Sequence, residues 1–224
     1  MNAIRIGAVL ILLSIALQGQ HTPTPAPAIS GTTGGIGGVS GSAGAAGSTG
    51  SGAVPGQTPV YRINLRVHIG HTTLPVADLR SLLEEINFIW WSQAGVCFEI
   101  TSTKDDTMAP DGFDIRFVPD VPDPPGANGV YKGDHNIWSR DYPNLAPASH
   151  PVTHRAARTG AHELGHGLTL RHYNGYADSA DSLMSSGTLG SHLRNFQIQE
   201  ARTRAQQKAI PDTTPTNCGA PQVN

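Results

Sequence analysis

The chain has 224 residues, which is enough for one well-buried domain or two small ones. Its 15 basic residues are offset by 17 acidic ones, so it lacks the basic field that binds nucleic acid or anionic lipid, and we expect no nucleic-acid partner. It also has ten histidines, most of them in the second half, and these make a metal site worth a search.

The first 59 residues are expected to lie outside the folded domain. Residues 1–19 carry one Arg followed by an apolar run from Ile6 to Leu17, which is too short to span a membrane comfortably and is typical of a secretory signal peptide. An uncleaved N-terminal anchor is the alternative interpretation. Residues 20–59 are mostly Gly, Ser, Ala, Thr and Pro, so they should form a disordered tether or a short pro-segment. We therefore expect a secreted, extracellular protein.

The remaining chain alternates strand and helix patterns. Alternating apolar residues predict a strand that begins at Tyr61, and helical spacing predicts a long amphipathic helix between Pro75 and Gly95. Val96 to Ile100 and Phe113 to Val118 alternate as two further strands, and two short strand candidates follow, Gly129 to Tyr131 and Asn136 to Ser139. One helix near residue 160 and another from about Asn195 to Ala209 complete the order. This order predicts an α/β domain over residues 60–212, with a mixed, twisted sheet and a backing helix, and a tail over residues 213–224.

The stretch HELGH, residues 162–166, carries the pattern of a metal site. His162 and His166 are four residues apart, so on a helix both imidazoles project from one face and can hold one ion. Glu163 is offset around the helix axis, which places its carboxylate beside the metal, where it can take a proton from water. The pattern predicts two metal ligands and a general base on one helix.

A third ligand must come from outside this helix. His172 lies six residues after His166, so the helix must end and the chain must turn back before His172 can reach the same ion. Three neutral imidazoles with one open position are typical of a catalytic zinc. Glu200, the only glutamate after the motif, is the alternative third ligand. A zinc-containing binding module without catalysis is the alternative from another class, although such a site has no need of Glu163.

The stretch HELGHGLTLRH resembles the motif HExxHxxGxxH of the metzincin clan of zinc metalloproteases, and the segment SLMS at 182–185 resembles the Met-containing turn of that clan. The resemblance implies a zinc-dependent endopeptidase that cleaves protein or peptide substrates. It implies that His162, His166 and His172 are zinc ligands. It also implies that Glu163 is the catalytic base and that Met184 forms an apolar floor under the ligands. It also implies that substrate lies along an edge strand, for which Gly129 to Tyr131 is the candidate. We expect the protein to be a monomer.

Two positions depart from the clan pattern. Thr169 replaces the family Gly whose sharp turn carries the chain to the third ligand, and a β-branched residue at positive φ is strained by about 1–2 kcal/mol. Either Thr169 turns by another route or Gly167 ends the helix early. Ser186 stands where several metzincins place a Tyr that can stabilise the oxyanion, and Tyr173 and Tyr176 are the nearby substitutes.

The cysteines and the other histidines leave further questions. Cys97 and Cys218 are the only two cysteines, and they form either one disulfide or two unrelated thiols. The remaining histidines of the domain are expected to face solvent, and they are His68, His71, His135, His150, His154 and His192.

Overall fold

The computed structural model describes residues 61–141 and 154–210 together with residues 218, 221 and 223. The predicted signal peptide and tether lie outside the described residues, as does His150. Among the described helices, none combines the length and the apolar character that a membrane crossing requires. The elements in chain order are β1 (Tyr61–His68), α1 (Val76–Ala94), β2 (Val96–Thr103), β3 (Phe113–Val118), β4 (Gly129–Tyr131), β5 (Asn136–Arg140), α2 (Arg155–Gly167), a 3₁₀ turn (Ser179–Asp181) and α3 (Asn195–Lys208).

The five strands form one sheet in the order β2-β1-β3-β5-β4. Strand β1 pairs in parallel with both β2 and β3, and β3 pairs in parallel with β5. Strand β4 runs antiparallel to β5 and lies at one edge of the sheet. The predicted α/β class with a mixed sheet is confirmed, and the candidate edge strand does lie at an edge.

Helix α1 supplies one wall of the hydrophobic core. Its predicted apolar stripe is buried, and the stripe comprises Leu79, Leu82, Leu83, Ile86, Ile89 and Trp90. Burying each of these large side chains stabilises the fold by about 1.5–3 kcal/mol. The helix ends at Gly95, which adopts the left-handed conformation with φ of 66° and directs the chain into β2. Helix α1 packs on β2 and on α2, so the core lies between the sheet and these two helices.

A layer of buried charges covers part of the other side of the sheet. His68 is only 1% exposed, and its Nε2 lies 2.7 Å from a carboxylate oxygen of Asp114. The same carboxylate accepts a hydrogen bond from Arg66 Nε at 2.7 Å. Arg62 forms an ion pair with Glu99 at 3.5 Å. The prediction that His68 faces solvent is therefore wrong, because the loop between β2 and β3 folds over this face and hydrogen-bonds its polar side chains.

The tail is tied to the sheet by a disulfide between Cys97 of β2 and Cys218. Their Cα atoms are 5.8 Å apart and 121 residues separate them in the chain, so the first of the two alternatives left open by the sequence applies. In the chain-entropy model a loop of this length corresponds to a stabilisation of about 5 kcal/mol. Both sulfurs are buried beside Trp91.

Candidate metal centre

Three histidine side chains converge at the C-terminal half of α2. His162 and His166 project from one face of the helix, and their Nε2 atoms are 3.1 Å apart. His172 returns from the segment after the helix, and its Nε2 lies 3.2 Å from that of His162 and 3.1 Å from that of His166. The structure thus brings together the three residues that the sequence predicts as ligands.

The return of His172 depends on the turn that ends α2. The helix ends at Gly167, and the left-handed residue that follows is Thr169, with φ of 72°. Two hydrogen bonds close the turn: Thr169 N–H donates to His166 O at 3.0 Å, and Leu170 N–H donates to Gly165 O at 2.9 Å. This pair of bonds defines a Schellman motif, in which glycine is the usual left-handed residue. Thr169 therefore adopts the strained conformation itself and does not avoid it by another route.

Replacing Thr169 with glycine is expected to raise the free energy of unfolding by about 1 kcal/mol. Glycine removes the Cβ that strains the left-handed conformation, and greater freedom of the unfolded chain offsets only part of that gain. Thr169 is exposed, so little packing is lost. Urea denaturation measures the change, and Thr169→Ala, which keeps a Cβ, should lie within about 0.5 kcal/mol of the parent. A glycine variant less stable than the alanine variant would contradict the assignment of strain.

Glycines in α2 let neighbouring side chains reach the helix backbone. A Cβ on Gly165 would lie 2.5 Å from Met184 Sδ, and a Cβ on Gly167 would lie 2.5 Å from Phe113 Cε1. The atoms nearest to these glycines belong to side chains and not to neighbouring backbone. The fully buried Met184 therefore packs directly on the helical turn between the first two histidines.

The outer nitrogens of two imidazoles are held by backbone carbonyls. His162 Nδ1 lies 2.7 Å from Leu183 O, and His166 Nδ1 lies 2.8 Å from Leu170 O. A carbonyl oxygen only accepts, so each Nδ1 carries the proton and each Nε2 presents a lone pair to the centre of the cluster. Burial lowers the pKa of His162 to about 3 and also lowers the pKa of His166, so both rings are neutral at neutral pH. Neutral imidazole is the form that binds a metal.

The cluster fits a bound cation. The Nε2 lone pairs of His162 and His166 are 3.1 Å apart and repel each other, and a cation between them relieves this repulsion. Two nitrogen ligands of a tetrahedral zinc are about 3.3 Å apart, close to the observed separations. Within the described part of the chain, these three histidines are the one group of His, Cys, Asp or Glu side chains with this geometry.

Glu163 lies beside the cluster on the wall of a cavity. Its side chain is buried, and its carboxylate accepts a hydrogen bond from the backbone N–H of Tyr131. A Cβ on Gly129 would lie 2.8 Å from Glu163 Oε1, so only glycine lets β4 approach this closely. Burial raises the pKa of Glu163 to about 7. The cavity has a volume of about 240 Å³ and is also lined by His162 and His172.

Arg158 lines the same cavity as Glu163 and His162, and no sequence motif singled it out. It is 6% exposed and donates hydrogen bonds to four backbone carbonyls, those of Gly190 at 3.0 Å, Ser182 at 3.5 Å, Leu183 at 2.7 Å and Ser185 at 2.6 Å. Burial lowers the pKa of Arg158 to about 10, which leaves it charged at neutral pH. Its position in the sequence could have indicated this placement, because Arg158 lies one helical turn before His162 in a run of small residues.

Other sequence candidates lie apart from the cluster. Glu200 is exposed on α3 and lines a separate depression beside Thr169. Tyr173 donates its hydroxyl to Asp178 at 3.0 Å and stacks on Tyr176. Neither tyrosine is among the described residues that line the cavity at Glu163. The structure therefore brings His172, and not Glu200, to the first two histidines, and it gives neither tyrosine a place at the cavity.

Comparison with known proteins adds no assignment. No model of a known protein family matches the chain. A search of the curated proteins also finds no match. The function is therefore argued from the geometry and chemistry of this site.

Proposed function

We propose that the protein is a zinc-dependent endopeptidase of the metzincin type. The observation that carries the proposal is the juxtaposition of three converging imidazoles with one buried carboxylate on the wall of an open cavity. A structural metal site is usually closed by four protein ligands, whereas three histidines leave a position open for water or substrate. An acid–base residue beside such an open position is the minimal equipment for metal-assisted hydrolysis.

Zinc is the metal that suits this donor set. Three nitrogen ligands with one open position match the ligand sets of catalytic zinc sites. Zinc has no redox chemistry, and nothing in this donor set calls for a redox metal. When bound, zinc would lower the pKa of a water molecule and polarise the carbonyl of the scissile peptide. The ligands in this proposal are His162, His166 and His172.

Glu163 supplies the proton transfers in this proposal. Its carboxylate takes a proton from the attacking water and then delivers that proton to the leaving amine. Both transfers need a base with a pKa close to the working pH, and burial brings the pKa of Glu163 to about 7. The hydrogen bond from the Tyr131 backbone orients the carboxylate beside the histidines.

Strand β4 is proposed to bind the main chain of the substrate. It pairs with β5 on one side, and its residues border a cavity shared with Glu163, His166 and His172. An extended peptide can add to such an edge through main-chain hydrogen bonds, which give affinity without sequence preference. The scissile bond would then lie beside the carboxylate and the three imidazoles.

The mixed α/β fold, with an active-site helix, a Met-containing turn beneath it and an edge strand beside it, is compatible with a metzincin-like domain.

We also propose that the protein is exported from the cell. The N-terminal apolar run supports export because it is typical of a secretory signal peptide. The Cys97–Cys218 disulfide supports export as well, because disulfides persist in oxidising compartments.

Casein digestion after removal and return of zinc tests the proposal. We expect a chelator to abolish cleavage and one zinc per chain to restore it, because three converging imidazoles with an open position bind zinc tightly. Metal content is measured by mass spectrometry and cleavage by release of labelled fragments. A folded, zinc-loaded protein that cleaves neither casein nor gelatin would instead favour the binding module.

Two alanine variants identify the third ligand in the same assay. His172→Ala should lose zinc and activity, because the Nε2 of His172 completes the cluster. Glu200→Ala is the matched control and should retain both, because Glu200 is exposed on α3. Retained metal in His172→Ala together with lost metal in Glu200→Ala would reverse the assignment.

A further inference from the structure

We propose that the cavity beside Glu163 contains a subsite for a carboxylate of the peptide substrate, formed by Arg155 and Arg158. The inference rests on the proposed peptidase function and adds a substrate class to it. Both arginines line the same cavity as Glu163 and His172, so a group held by them lies next to the reacting carboxylate and imidazoles.

Arg155 carries a charge that none of the described residues compensates. It stands at the first residue of α2, half-buried in the cavity wall, and it forms no hydrogen bond or ion pair with any other described residue. The preceding segment, residues 142–153, contains no Asp or Glu that could pair with it. A guanidinium that lines a cavity without a partner is a donor for an anionic ligand.

Arg158 adds a second positive charge, and this one is fixed in place. Its hydrogen bonds go to backbone carbonyls and to the Thr188 hydroxyl, and no carboxylate of the described residues lies within ion-pair distance of it. Carbonyl dipoles orient the guanidinium but do not cancel its charge. Glu163 is the one acidic residue among the described lining residues, so the cavity wall carries two positive charges against one negative charge.

The segment next to Arg158 offers further donors for an anion, since Arg158 Nη2 lies 3.3 Å from the Thr188 hydroxyl. Gly187 and Thr188 line the cavity, and their backbone N–H groups donate to no acceptor among the described residues. Gly187 has φ of 72°, and successive N–H groups at such a turn form a concavity that binds anions. A volume of about 240 Å³ accommodates a carboxylate on a short side chain.

Two parts of a peptide can supply this carboxylate. One is the side chain of an Asp or Glu near the scissile bond, which would make the protein an endopeptidase selective for acidic residues. The other is the free C-terminus of a peptide, which would favour cleavage close to chain ends. Both place the same chemical group between Arg155 and Arg158, and substrate pairs separate them.

The test uses two pairs of quenched fluorogenic peptides with zinc-loaded protein. The first pair carries Glu or Gln next to the scissile bond, on each side in turn, with the cut position established by mass spectrometry. The second pair ends in a free carboxylate or in an amide. We expect kcat/KM to be about tenfold higher for the charged member of one pair, because hydrogen bonds to a charged group are the strong ones. The pair that shows the preference identifies the source of the carboxylate.

Variants assign the preference to the cavity. Arg155→Gln should reduce the preference to about twofold or less, whereas Arg202→Gln removes the same charge from the exposed face of α3 and should leave the preference unchanged. Equal kcat/KM within both pairs, or a preference that survives Arg155→Gln, would overturn the subsite. If no peptide is cleaved, the peptidase proposal fails, and fluorescence anisotropy of the same labelled peptides decides the subsite: equal affinity for charged and neutral peptides rejects it.

Discussion

Glu163→Ala is expected to lower kcat by about 10²- to 10⁴-fold while zinc binding and folding are retained. The expected loss is the usual contribution of a positioned general base that also acts as general acid. Zinc binding should persist because the three Nε2 atoms converge without any contribution from Glu163. The measurements are kcat on a peptide substrate, zinc content and the urea midpoint of the same preparation.

No other described carboxylate is placed to substitute for Glu163. Asp178 accepts a hydrogen bond from the hydroxyl of Tyr173, and Asp181 forms an ion pair with Arg194. Both aspartates lie in the loop after His172 and already have partners there. Neither aspartate is among the described residues that line the cavity. A rate loss near the upper end of the range is therefore consistent with the geometry.

Folding of the Glu163 variant should be preserved because a buried carboxylate is itself costly. The raised pKa of Glu163 reflects the desolvation of its charged form, and alanine removes that cost together with one hydrogen bond. Glu200→Ala, on the exposed face of α3, is the matched control and should keep the parent kcat. A zinc-loaded, folded Glu163→Ala protein that cleaves at nearly the parent rate would show that the base is elsewhere.

Periodicity predicted α1, β1 and β3 well because each of them buries a continuous apolar face. The stripe on α1 and the alternation in β1 and β3 follow directly from helical and strand geometry. The same rule predicted that His162 and His166 share a face of α2. These predictions depend on local spacing alone, and the structure confirms the elements and the shared face.

The parts that the sequence did not reveal depend on contacts between distant segments. The burial of His68 comes from a loop that folds over the sheet, and no alternation pattern encodes that cover. The disulfide requires Cys218 to return to β2 across 121 residues. The conformation of Thr169 was left open because local propensity opposes it, and the surrounding packing imposes it.

Arg158 is the clearest case of a role set by distant contacts. Its backbone acceptors lie 24 to 32 residues further along the chain, in the Met-containing turn and the segment after it. One acceptor, Leu183 O, also holds Nδ1 of His162. Arg158 therefore connects the helix to the carbonyl that contacts a proposed ligand, as expected of a positioning residue for the proposed metal site.

Arg158→Met is expected to lower the free energy of unfolding by about 2–4 kcal/mol, because several hydrogen bonds from a charged donor are lost and buried carbonyls are left unsatisfied. Methionine preserves much of the side-chain length, so packing changes least. Arg155→Met is the matched control on the same helix and should change stability by about 0.5 kcal/mol or less, because Arg155 has no partner among the described residues. Urea denaturation of both variants, with zinc removed, measures the difference.

Zinc affinity separates a positioning role from a purely structural one. Loss of the Arg158 hydrogen bonds frees the turn that holds Leu183 O, so His162 loses its fixed orientation and zinc affinity should fall by about 10- to 100-fold. Competition with a chromogenic chelator measures this affinity. The measurement is made without urea, at a temperature where both variants are folded. Arg158→Lys should recover part of the affinity, because an ammonium can still donate to one or two carbonyls but lacks the planar fork of the guanidinium. A folded Arg158→Met protein with the zinc affinity of Arg155→Met would show that Arg158 stabilises the turn without orienting His162.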